Sequence, residues 1–72
     1  MITFVLLRSG QVGPVAVSSK LDHLLVLIPD GLREVSYQRS KITHREIIGE
    51  WANDKERIEN FVTYRIIAYV NV

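Results

Sequence analysis

None of the 72 residues is cysteine, so neither a disulfide staple nor a thiolate metal site can hold this chain together. That absence fits a reducing compartment, and a cytoplasmic location is the expectation. Charge of one sign is lacking too. Nine Lys/Arg stand against eight Asp/Glu, a formal +1, so net charge selects neither nucleic acid nor an acidic surface. No apolar run approaches the ~20 residues of a membrane span; the longest are 2–7, 24–28 and 66–70. In the first of these the charge, Arg8, follows the apolar residues instead of preceding them. No small-residue cleavage site comes after it, so no secretory leader is expected there. There is no internal repeat, low-complexity tract or linker.

What is present is apolar. Hydrophobic residues make up 47% and charged ones 24%, which excludes a disordered tail. One domain, 1–72, is expected. A chain of this size buries only about 60% of its extended surface, which is marginal without a staple.

Along the chain, 2–7 is continuous, β-branched and aromatic, and predicts a strand apolar on both faces. Ser9-Gly10-Gln11-Val12-Gly13-Pro14 is a turn, and 15–17 a short hairpin partner with Pro14 at an edge position. Residues 18–22 are loop-like. The run 23–28 predicts a third strand, closed by Pro29-Asp30-Gly31, and 32–37 a half-buried fourth, with Val35 and Tyr37 on one face. Thr43-His44-Arg45-Glu46 matches a capping box, and Ile47, Ile48, Trp51, Ile58, Phe61 and Val62 follow at helical intervals. A helix over 44–60 is therefore expected, with a break near Asn53. Residues 61–72 predict a last strand, central or at an oligomeric seam, whose apolar register is Val62, Tyr64, Ile66, Ala68, Val70, Val72.

The fold expected is α+β, a small curled antiparallel sheet or partly open barrel of about five strands, with one helix before the last strand (β-β-β-β-α-β). A lone amphipathic helix shelters one sheet face, not two. The leftover apolar face must curl on itself or pair with a second copy, so a homo-oligomer, a dimer first, is expected.

Chemistry is thinly supported. Asp22-His23 with Ser18 and Ser19 upstream lacks a nucleophile-elbow motif, and its plain role is a loop contact. The sequence has no metal-ligand spacing, and Gly10-Gln11-Val12-Gly13 precedes no helix that would receive a phosphate. No catalytic residue, metal or cofactor is assigned. The clearest asymmetry is a basic stretch, Arg33, Arg39, Lys41 and Arg45, interleaved with Tyr37 and His44, ahead of an acidic segment. These six residues are the expected partner-binding set, and Trp51 is an interface candidate as well as a core anchor. The function expected is a non-enzymatic, self-associating binding or regulatory module contacting a macromolecular partner, a protein first, through 33–45 and residual apolar surface. The alternatives are a nucleic-acid-binding regulator using the same segment and an oligomer holding a small ligand near Arg65 or Tyr64.

Overall fold

The structure is a computed structural model that describes residues 2–38, 45–53 and 62–70. Its elements run β1 (Ile2–Arg8), β2 (Ala16–Ser18), α1 (Leu21–Leu25), β3 (Arg33–Tyr37), β4 (Glu46–Ala52) and β5 (Thr63–Val70). The strands form one antiparallel five-stranded sheet in the order β2-β1-β5-β4-β3. The outermost strands, β2 and β3, do not pair with each other, so the sheet is open and not a closed barrel.

Two expectations are corrected, and they amount to an exchange. The segment 23–28, expected as a strand, carries the end of helix α1 and the turns after it. The reason lies in the spacing of Leu21, Leu24, Leu25 and Ile28, which is that of one helical stripe. Leu24 is buried and the other three pack around it, while Val26 is 79% exposed. Conversely, Glu46–Ala52, expected inside the helix over 44–60, is strand β4. Residues 44 and 54–60 of that expected helix, and the question of its continuity past Asn53, lie outside the described residues. The element order is therefore β-β-α-β-β-β, with the helix between the second and third strands.

A β-bulge explains why β4 imitates a helix. The register slips between Ile47 and Gly49, leaving Ile48 as the extra residue. Ile48 and Trp51 both reach the core, three positions apart, as residues on one helical turn would. The bulge also sends Ile47 to the opposite face, where it is 52% exposed. A second irregularity, between Glu34 and Ser36 of β3, breaks the expected alternation. Val35 is 47% exposed, whereas Tyr37 packs inward against the core.

Elsewhere sequence and structure agree. The hairpin between β1 and β2 turns on Gly10 (φ 79°) and Gly13 (φ 82°), values that favour residues without a Cβ. Strand β5 is central between β1 and β4, and its Tyr64, Ile66 and Ala68 share the inner face as expected. Residues 61, 71 and 72 of the expected last strand lie outside the described residues.

The inner face is covered in two parts. Helix α1 packs on β1 and β2, placing Leu24 against the core that includes Leu6 and Ile66, both wholly buried. Toward β3 the lid is the indole of Trp51, which crosses Gly49 and meets the Tyr37 ring at 5.6 Å between centroids. Both exposed edges are blunted. Strand β2 is only three residues long, and β3 carries its bulge mid-strand.

Candidate functional site

Directly paired residues in an antiparallel sheet share a face. The register therefore defines what the outer face, opposite α1, presents. Val17 pairs with Val5, Val5 with Ile67, and Ile67 with Ile47. These four β-branched side chains form a continuous apolar row across β2, β1, β5 and β4. Its centre is sheltered, Ile67 being 7% exposed, and its ends are open, with Val17 at 56% and Ile47 at 52%. No helix or strand among the described residues lies over this row. At its β4 end Arg45, Glu46, Ile47 and Ile67 enclose a shallow depression of about 220 Å³.

Polar rows flank it. On one side Leu7, Arg65, Glu50 and Ser36 are paired in turn, and Arg65 Nε donates to Glu50 Oε1 at 2.6 Å. On the other, Tyr69 pairs with Thr3, and the guanidinium of Arg45 lies 5.4 Å from the centroid of the Tyr69 ring. Beyond Arg65, at the start of β5, the β1–β2 loop and β5 border a half-open cleft of about 490 Å³. Its walls include Leu7, Ser9, Gly13, Pro14, Thr63 and Arg65. The loop is tied to β5 there: Ser9 N donates to Thr63 O at 2.9 Å, and Thr63 N donates to Ser9 Oγ at 3.0 Å.

The sequence-derived partner-binding residues are distributed as follows. Arg33 is exposed at the start of β3 and pairs with Ala52 at the far end of β4. Arg45 precedes the opposite end of β4, so a whole strand separates the two cations. Tyr37 faces the core beside Trp51. Arg39, Lys41 and His44 lie outside the described residues. Trp51 is buried at 8% exposure, its ring inside the protomer. Among the described residues, then, the basic segment is not gathered into one patch.

The Asp22-His23 pair is brought near Ser18. The Ser18 Oγ lies 3.3 Å from His23 Nδ1 and accepts the Lys20 backbone N–H at 3.0 Å. This arrangement closes the turn between β2 and α1, a local side-chain-to-backbone contact of the kind serine makes in turns. Neither cavity described above touches Ser18 or His23.

Two parts of the surface escape a reading of the sequence alone. Ile47 is hidden as a row member because the bulge gives it helical spacing. The cleft is hidden because it depends on how the glycine loop folds back on β5, although Arg65 is flagged by its place on the mixed register of that strand. No protein-family model matches the chain, and neither a curated protein nor a solved structure matches it.

Proposed function

We propose that the protein is a non-catalytic binding module that pairs with a second copy of itself through the outer sheet face. The observation that carries this reading is the self-complementary row Val17–Val5–Ile67–Ile47. A two-fold axis parallel to the strands, passing between β1 and β5, lays each copy's Val17 over its partner's Ile47 end. Val17 is 56% exposed there, and the depression at the other end lies beside Ile47. The match is reciprocal, as a two-fold interface requires. Growth edge to edge is disfavoured by the short β2 and the bulged β3, which leaves the face as the apolar surface to be covered.

Size sets the strength. Three strands some 23 Å long and the three-residue β2, about 4.8 Å apart, present roughly 380 Å² per protomer in projection. That is below the roughly 800 Å² per partner of a standard interface. A reversible dimer dissociating in the micromolar range or above is the consistent outcome. The exposed β3 edge, with Arg33, is left free in this arrangement, and it is the proposed start of the 33–45 contact with a protein partner.

Sedimentation across about 1–500 μM tests the pairing, a range chosen to bracket the affinity of so small an interface. Val17→Lys and Ile47→Glu should each give monomers. The double variant should restore the dimer, because the two-fold then sets the introduced lysine of one copy against the introduced glutamate of the other. A natural chain that stays monomeric throughout, or single variants that associate unchanged, would refute the reading. Single variants that abolish pairing without rescue in the double would refute the proposed two-fold.

A further inference from the structure

We infer that the cleft between the β1–β2 loop and β5 is a binding site for a small organic oxyanion, a carboxylate or phosphate monoester carrying a compact apolar body. At about 490 Å³ its volume falls in the range of small-ligand sites, and it is far larger than a bare phosphate needs. Among the described residues its charge is of one sign: Arg8 and Arg65 both line it, and no carboxylate does. Glu50, paired with Arg65 across the sheet, takes only its Nε. The two Nη groups of Arg65 make no other hydrogen bond among the described residues, so half of a fork suited to an oxyanion is open.

Further donors converge on the same space. Ser9 Oγ accepts from Thr63 N, which leaves its own O–H to donate, and Thr63 also lines the wall. Arg8 makes no ion pair among the described residues. Its guanidinium rests 6.0 Å from the Tyr64 ring centroid, at the outer limit of a cation–π contact. Leu7 and Pro14 give the cleft an apolar wall, which a neutral body on the ligand would cover. The lining residues named come from one protomer, and two of them, Leu7 and Arg65, stand on the outer face beside the row that the proposed pairing covers.

The test is an amide chemical-shift titration of the full chain with phenyl phosphate, benzoate, inorganic phosphate and the uncharged benzyl alcohol. At least one of the two aromatic anions should shift residues 7–13 and 63–65 with a Kd below about 1 mM. Benzyl alcohol and inorganic phosphate should bind at least about tenfold more weakly, the loss expected when a charge-assisted hydrogen bond or the apolar contact is missing. Two variants then separate ligand binding from a structural ion pair. Arg65→Gln should weaken the anion about tenfold or more, whereas Glu50→Gln, by freeing Arg65 and removing a competing charge, should tighten it about two- to five-fold. Melting temperatures confirm that both variants are folded.

Three results would overturn the site: no shift with either aromatic anion, equal binding of benzyl alcohol, or weakening by Glu50→Gln. Inorganic phosphate binding as tightly as phenyl phosphate would overturn the organic ligand in favour of the free ion.

Discussion

Replacing Gly49 with alanine asks whether the Trp51 indole is what keeps a side chain out of the middle of β4. Gly49 is not among the glycines with positive φ, so its backbone does not require glycine. In an ordinary strand interior the change would stabilise by about 0.5–1 kcal/mol, because alanine has less freedom to lose. Here the new Cβ would lie 2.6 Å from Cζ3 of Trp51 and nearer still to Cη2. The ring is rigid and has the Tyr37 ring beside it, so it cannot yield as a flexible chain end would. Overpacking of this kind costs about 1–3 kcal/mol. The net expectation is a loss of about 1–2 kcal/mol, or a fall in Tm of roughly 5–15 °C in a domain this small.

The sign should reverse once the ring is removed. In a Trp51→Leu background, Gly49→Ala should be neutral or stabilising by up to about 1 kcal/mol. Urea and thermal unfolding of the four chains, followed by far-ultraviolet circular dichroism, gives the coupling energy, expected at about 1–3 kcal/mol. An equal effect of Gly49→Ala in both backgrounds, or a gain in the natural one, refutes the packing of Trp51 across the glycine.

Two other predictions concern the helix and the basic segment. Leu24→Ala should cost about 2–5 kcal/mol because Leu24 is buried under α1; Leu27→Ala, at a position 48% exposed, should stay within about 0.5 kcal/mol. Similar losses at the two positions, measured by denaturant unfolding, would argue against the helical stripe. A single-stranded oligonucleotide should bind weakly or not at all at physiological salt. If it binds with a steep salt dependence that Arg39→Gln with Lys41→Gln flattens, the segment 33–45 contacts phosphate and not a protein.

The strands read correctly from sequence were those whose local signals had no competitor. Four of residues 2–7 (Ile2, Thr3, Phe4 and Val5) are β-branched or aromatic and a glycine turn follows, and 62–70 is apolar at every second position from Val62. Gly10, Gly13 and Gly31 mark turns, and each has the positive φ that glycine tolerates. The two misread segments share a physical cause, the short length over which period 2 and period 3.6 are distinguished. In 23–28 the continuous apolar run masks a stripe that becomes visible only when Leu21 is included. In Glu46–Ala52 the bulge at Ile48 shifts the alternation by one residue and produces helical spacing inside a strand. Both errors are local, and they cancel in the count that matters for function. Exchanging the identities of a strand and a helix leaves, among the described residues, one helix and one sheet, with α1 on one face and no described helix or strand over the other.

That count is why the surplus of apolar residues was legible although the topology was not. Val5, Leu7 and Ile67 already stood on the second face of strands read correctly, and the bulge added Ile47 to them. The outer face does not turn hydrophilic to compensate: four β-branched side chains stay in register across four strands. An open sheet does not close on itself as a barrel would, and the two ends of the row, Val17 and Ile47, stay about half exposed. The argument for a covering partner is therefore stronger for an open sheet, which the sequence reading allowed as a partly open barrel, than for a closed one. It rests on position as well as composition, because the two exposed ends of the row lie where a two-fold brings them together.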